Sequence, residues 1–108
     1  MPQPGPKPPA GDPAELDPQH YTVEFENDRI RVLRVRYGPH EKSVMHSHPA
    51  MLSISLTGRD WRISLPDGRT RHIMGGPGDI IWYEAHEHAP ENLSSKPYEG
   101  IGIELKTK

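Results

Sequence analysis

Residues 78–92 have the sequence GDIIWYEAHEHAPEN, and this stretch carries most of the information about the fold. It opens with a Gly-Asp turn, continues through a short apolar run at residues 80–83, and then places two histidines two positions apart. A short apolar run that follows a turn is typical of a buried strand. We therefore predict a β-strand here, with polar side chains beyond its end.

The same pattern extends through most of the chain. Apolar and polar residues alternate at residues 21–26 and 61–65, and Gly, Pro, Asn or Asp separates successive segments. The alternation slips between Val32 and Leu33, which predicts a β-bulge or a change of sheet. We predict eight or more short strands in an all-β sandwich or barrel, at about residues 21–26, 30–37, 43–56, 61–65, 69–74, 80–83, 88–94 and 98–106.

The first 18 residues differ from the rest. They contain seven of the 13 prolines, and Leu16 is almost their only apolar side chain. We predict a Pro-rich disordered tail at residues 1–18 and one folded domain at residues 19–108. A domain of that size buries only about 60% of its unfolded surface. We therefore expect a homodimer, with residues 21–25 as a candidate edge strand to add to the partner's sheet.

Composition excludes several classes of function. Cysteine is absent, which excludes disulfides and thiolate sites. The net charge of −2 does not favour a nucleic-acid partner, and no apolar run is long enough for a membrane span. The first 18 residues lack the apolar stretch of a signal peptide. We expect a cytoplasmic protein, or a periplasmic or secreted one if a signal sequence has been removed from the mature chain.

Histidine is abundant, with seven residues, and two of them form the first candidate site. His46 and His48 lie in a strand-like run, so their side chains project from the same face. The even-numbered residues that follow, among them Leu52, are apolar and would project from that same face. This pattern predicts that both imidazoles point inwards. A metal ion would satisfy their nitrogens, since neutral imidazole is a common ligand of Zn, Fe, Cu and Ni. A strand end that hydrogen-bonds water is the alternative.

A second pair, His86 and His88, also shares a face. An antiparallel neighbour strand would bring one of these opposite the first pair and complete three nitrogens around one point. The remaining histidines, His20, His40 and His72, stand among polar or turn residues, and we expect them at the surface.

These residues resemble the two motifs of the cupins, which are small jelly-roll β-barrels. The first family motif, a glycine, H-x-H and a later glycine, is similar to the run from Gly38 through His46 and His48 to Gly58. The second, Gly-Asp followed by an apolar strand, a histidine and an asparagine four residues later, is similar to residues 78–92. The resemblance covers about residues 28–106 and implies a cupin-type double-stranded β-helix.

The chain departs from the family at one ligand position. Leu52 stands where the first motif has a glutamate, and by parity it would face the site. The resemblance thus implies a three-histidine site of His46, His48 and His88, holding a divalent transition metal (Zn, Fe, Mn, Ni or Cu). His86 remains an alternative third ligand, or a fourth, if a bulge changes the register.

Neighbouring residues are candidates for supporting roles. Trp82 shares parity with His86 and His88, so we expect it to line the cavity. Glu84 and Glu87 lie beside the histidines and could orient an imidazole or act as a base, although exposed turn carboxylates are the commoner outcome.

Three functions remain open. The first is a metal-dependent enzyme, of oxygenase or lyase type, acting on a small molecule in the cavity. The second is a non-catalytic cupin that binds a metal or small ligand as a sensor or carrier. The third is a metal-free, sugar-isomerase-like cupin, which would need a His–Asp dyad, and Asp79 is better explained as a turn residue.

Overall fold

A computed structural model describes residues 10–106 of the chain. Within this range there is one short helix, α1 (Pro13–Leu16), and nine strands follow it. The strands are β1 (Tyr21–Glu26), β2 (Ile30–Tyr37), β3 (His46–His48), β4 (Met51–Ser55), β5 (Arg59–Ser64), β6 (Thr70–Gly75), β7 (Ile80–Tyr83), β8 (His86–Asn92) and β9 (Tyr98–Leu105).

The strands form two antiparallel sheets, which confirms the all-β prediction. One sheet has the order β1-β2-β9-β4-β7 and the other the order β3-β8-β5-β6. The predicted slip near Val32 and Leu33 corresponds to a register shift between β1 and β2, where Val23 pairs with Leu33 and Phe25 pairs with Val32. Glu24 is the additional residue on β1, so the irregularity lies on the partner strand.

The core lies between the sheets. Leu33 and Tyr37 on β2 are fully buried, and Trp61 and Ile63 on β5 face them from the other sheet. Tyr98 on β9 pairs directly with Tyr37 and completes the cluster. These aromatic side chains provide much of the buried area, because the chain has few large aliphatic residues facing inwards.

The predicted inward position of Leu52 is wrong. Pro49 and Ala50 interrupt the strand after β3, and the alternation restarts with the opposite phase in β4. Met51 and Ser53 therefore line the interior, while Leu52 lies on the other face, paired with Trp82 and Ile103. Parity could not reveal this reversal, since both faces of β4 carry apolar residues.

Described residues before the predicted boundary at residue 19 contact the strands. Asp12 caps α1 by accepting a hydrogen bond from the Ala14 amide, and Pro13 is fully buried. The Ser47 amide of β3 donates to the carbonyl of Gly11 at 2.8 Å. Residues 10–18 thus pack on the barrel, although their low apolar content predicted a disordered tail. Residues 1–9 of the predicted tail lie outside the described residues.

The predicted surface position of His20 is also wrong. This side chain is 5% exposed and stacks on Tyr37, with ring centroids 4.1 Å apart. Its two ring nitrogens contact the carboxylates of Asp17 and Glu41 at 2.6 and 2.9 Å. Polar neighbours in sequence suggested exposure, but here they are the partners that permit burial.

Within residues 10–106, no helix has the length and apolar character needed to cross a membrane. Strand β1 is an edge strand, and Phe25 is 53% exposed on it. The homodimer stays a prediction.

Candidate metal centre

Strand pairing brings both histidine pairs together. β3 and β8 are antiparallel neighbours, and their register places His46 opposite His88 and His48 opposite His86. One ring nitrogen from each of His46, His48 and His88 lies within 4.8 Å of the other two. The structure therefore juxtaposes the three histidines that the sequence singled out, with the ring of His86 stacked on that of His48.

The turns around β7 set the position of β8. Gly78 has φ of +88°, a left-handed conformation that favours glycine, and its amide donates to the Ser55 carbonyl at 2.7 Å. Glu84 and Ala85 separate β7 from β8, and they interrupt the alternation of side chains between the two faces of the strand. Trp82 is consequently 47% exposed and donates to the Glu84 carboxylate at 2.7 Å, so its predicted place in the cavity is wrong. Tyr83 lines the cavity instead.

Oxygen acceptors hold the Nδ1 atoms of three histidines. His46 Nδ1 donates to the Val44 carbonyl at 2.9 Å, and His86 Nδ1 donates to the Glu84 carbonyl at 2.7 Å. His48 Nδ1 donates to the Glu104 carboxylate at 2.6 Å. An imidazole that is neutral and carries its proton on Nδ1 has a free lone pair on Nε2.

The Nε2 atoms fit a metal ion. Those of His46, His86 and His88 are buried and have no hydrogen-bond partner among the described residues. A buried polar atom without a partner destabilises the fold by about 1–3 kcal/mol, so several together indicate an absent ligand. Nitrogen lone pairs of neutral imidazoles are donors that divalent transition metals accept. The donor set therefore suits such an ion.

Burial favours the neutral forms of His46, His86 and His88. It lowers the pKa of His46 to about 4, and the neighbouring His48 contributes to the same effect. Burial also lowers the pKa of His88 well below its usual value, and to a lesser extent that of His86. Protonation would place like charges a few ångströms apart in a buried site, which is why these imidazoles remain available as ligands near neutral pH.

Metal-free protein should lose stability as the pH falls from 6.5 towards 4. In the unfolded chain, histidines have a pKa near 6.5, whereas in the folded state the pKa values of His46 and His88 are lower. The unfolded state therefore binds more protons in this window, and acid favours it; above pH 6.5 these groups have no effect. Each group contributes a slope of up to about 1.4 kcal/mol per pH unit.

Urea unfolding in EDTA at pH 7, 6 and 5 measures this slope. His88→Leu should have a shallower slope. A free energy of unfolding that does not change between pH 7 and pH 5 would contradict the prediction.

A small cavity adjoins the histidines. Its volume is about 60 Å³, and His48, His86 and His88 form one wall. The rest of the lining is apolar or aromatic apart from Ser53, and consists of Tyr21, Leu33, Val35, Met51, Ser53, Trp61, Ile63, Tyr83, Pro90, Tyr98 and Gly102. The lining therefore suits a small molecule of low charge.

The carboxylate beside the histidines is one that the sequence did not reveal. Glu104 is 2% exposed on β9 and contacts His48, whereas Glu84 binds Trp82 and Glu87 accepts a hydrogen bond from the Ala10 amide. In β9 the apolar residues Ile101 and Ile103 alternate with Gly102 and Glu104, and the buried row is Tyr98, Gly100, Gly102 and Glu104. Two glycines in that row were the available signal, because they permit close packing of the sheets.

Asn92, which ends the second motif, has a structural position. It is 1% exposed, and its side-chain amide donates to the carbonyls of Gly38 and Lys96, both at 3.0 Å. It thus connects the end of the second motif to the first glycine of the first. Asp79 lies at the turn before β7, near Arg59, and not among the cavity residues.

The fold of this chain is similar to those of several solved structures. A cupin domain from Bordetella pertussis Tohama I has a TM-score of 0.74 at 23% identity, covering 95% of this chain and 100% of that chain. An RmlC-like cupin family protein from Methanocaldococcus jannaschii has a TM-score of 0.62 at 15% identity, covering 83% and 84%. The polyketide cyclase RemF from Streptomyces resistomycificus has a TM-score of 0.56 at 21% identity, covering 75% and 57%.

No protein-family model matches the chain, and no curated protein matches it in sequence. The similarity to the Bordetella structure extends over 95% of this chain. The chain has the double-stranded β-helix fold of the cupin superfamily.

Proposed function

We propose that this chain binds one divalent transition-metal ion through His46, His48 and His88, and that it is a metal-dependent enzyme acting on a small molecule in the barrel cavity. The observation that carries the proposal is the approach of one ring nitrogen from each of His46, His48 and His88 to within 4.8 Å of the other two. The buried Nε2 atoms of His46 and His88, which have no hydrogen-bond partner among the described residues, support the same ligand set.

The bound ion, whether Zn, Fe, Mn, Ni or Cu, would supply Lewis-acid polarisation of a substrate oxygen, and electron transfer if it is redox-active. The chain's own residues bind and orient the substrate. Trp61, Tyr83 and Tyr98 enclose its apolar part and exclude water. His86 presents an Nε2 lone pair that can accept a hydrogen bond or a proton from it, because its Nδ1 proton is held by Glu84. This arrangement suits oxygenase or lyase chemistry.

The comparisons support an enzyme only in a general way. RemF, which shares the fold, is a polyketide cyclase, so this barrel can house catalysis on a small organic molecule. Fold alone does not carry a substrate from one protein to another.

A non-catalytic metal or ligand carrier is the second candidate. The observation that favours it is the composition of the cavity: no carboxylate or lysine side chain lines it in the part of the chain that the structure describes. Glu104 is close, but His48 and Arg31 occupy its two oxygens. Incubation of the metal-loaded protein with small aromatic and dicarbonyl compounds separates the two: an oxygenase would consume oxygen, a lyase would form a cleavage product without oxygen, and a carrier would do neither.

Divalent metal should stabilise the fold. Binding to the folded state alone adds about 2.7 kcal/mol at a metal concentration one hundred times the dissociation constant. A melting curve in EDTA should therefore lie several degrees below one recorded with a saturating ion of the set Zn²⁺, Fe²⁺, Mn²⁺, Ni²⁺ and Cu²⁺. Magnesium, which prefers oxygen ligands, is the control. Identical curves in EDTA and with all five ions would contradict the proposal.

A further inference from the structure

A series of polar side chains, buried at Glu104 and partly exposed at Asp12, leads away from His48. Its Nδ1 contacts Glu104 Oε2 at 2.6 Å, and Glu104 Oε1 accepts from Arg31 Nε at 2.9 Å. Arg31 then donates to both oxygens of Asp12, at 2.8 and 2.7 Å. The series connects β3, β9 and β2 to the residue that caps α1.

Glu104 fixes the tautomer of His48. An ionised carboxylate only accepts hydrogen bonds, so His48 must carry its proton on Nδ1. In the neutral form of the ring, which is the form that binds a metal, the lone pair is then on Nε2, at the side remote from Glu104. The carboxylate also fixes the ring plane, because the contact is short and both side chains are almost fully buried.

Arg31 and Asp12 hold Glu104 in place. A buried carboxylate is stable only with a charge partner, and Arg31 lies directly opposite Glu104 in the pairing of β2 with β9. A guanidinium that contacts Glu104 alone could rotate. The two hydrogen bonds that Arg31 donates to Asp12 prevent this, since bidentate pairing determines the orientation of the guanidinium.

We infer that Glu104 is a positioning residue of the metal centre and that Asp12, acting through Arg31, keeps it in position. The inference rests on the proposed metal binding. It adds that Asp12, which caps α1 and is absent from the cavity lining, influences metal affinity through this series.

Glu104→Gln is the direct test. A glutamine oxygen can accept from His48, but its amide group then faces Arg31, donor against donor. One of the two contacts must be lost. Loss of such outer partners typically weakens metal binding by about 10–100-fold, and we expect a Zn²⁺ dissociation constant raised by that factor. The absorption spectrum of the Co²⁺ form should also change, because the position of an imidazole ligand changes.

Asp12→Asn extends the test to a residue remote from the cavity. We expect weaker Zn²⁺ binding by roughly 3–10-fold, since Arg31 keeps its contact with Glu104 but loses the charged partner that orients it. Glu24→Gln is the matched control. Glu24 also accepts two hydrogen bonds from an arginine of β2, Arg34, at 2.9 and 3.0 Å, but this pair is exposed and does not contact Glu104. Its Zn²⁺ affinity should equal that of the wild type.

Both constants are measured on folded protein, well below a melting temperature determined separately in EDTA. Variants that melt earlier in EDTA but retain wild-type affinity and the wild-type Co²⁺ spectrum would show a purely structural role and overturn the inference. Wild-type protein that binds neither Zn²⁺ nor Co²⁺ would instead show that the proposed function itself is wrong, and the inference with it. Weaker binding by Glu104→Gln and Asp12→Asn, with no change in Glu24→Gln, supports it.

Discussion

His88→Ala should reduce the metal content of the protein from about one ion per chain to background, because two imidazoles remain where three are needed to hold the ion. His88 lies opposite His46 in the register of β3 and β8, so its removal opens one side of the cluster. Elemental analysis of protein purified without chelator measures the change, and His46→Ala should give the same result.

Two further histidine variants serve as comparisons. His72 is exposed on β6 and contacts Asp60, so His72→Ala should retain the wild-type metal content. His86→Ala should also retain it. Equal metal content in wild type and His46→Ala would contradict the site. Loss of metal in His46→Ala and His86→Ala but not in His88→Ala would identify His86 as the third ligand.

Leu33→Ala should lower the free energy of unfolding by about 2–5 kcal/mol. Leu33 is fully buried on β2, opposite Gly102, and it lines the cavity beneath the histidines. Gly102 has no side chain to occupy the vacated space, so the value should lie in the upper half of that range. Urea unfolding in EDTA measures the difference, with the same dependence of the unfolding free energy on urea concentration (m value) used for both proteins.

Leu56→Ala is the matched control, because the same atoms are removed from a side chain that is 46% exposed. The change there should stay below about 1 kcal/mol. Equal losses in the two variants would indicate that the inner face of β2 is not the core that the structure describes.

Most of the fold could be predicted from local pattern. Turn residues and two-residue alternation gave the strands, and the slip near Val32 marked the bulge between β1 and β2. The inner faces were harder to predict. Leu52 and Ile103 lie on the outer face of their sheet while Ser53 and Gly102 face inwards, so apolar character did not distinguish the two faces.

The candidate site, too, could be predicted from the sequence only in part. Strand spacing put His46 and His48 on one face and His86 and His88 on another, and the resemblance to the second cupin motif singled out His88. Glu104 and Asp12 were not predicted, because each becomes relevant only through a partner distant in sequence, namely His48 and Arg31. Spacing along one strand reveals ligands, whereas the partners of ligands come from pairings across sheets that a single sequence does not show.

Anomalous X-ray diffraction at the metal absorption edge, from crystals of freshly purified protein, tests the account most directly. It gives the identity and the position of a bound ion in one measurement. The account predicts a single anomalous peak per chain within bonding distance of Nε2 of His46, His48 and His88, at about 2.0–2.2 Å. A crystal soaked with Zn²⁺ that shows no peak there, or a peak bound by other residues, would contradict it.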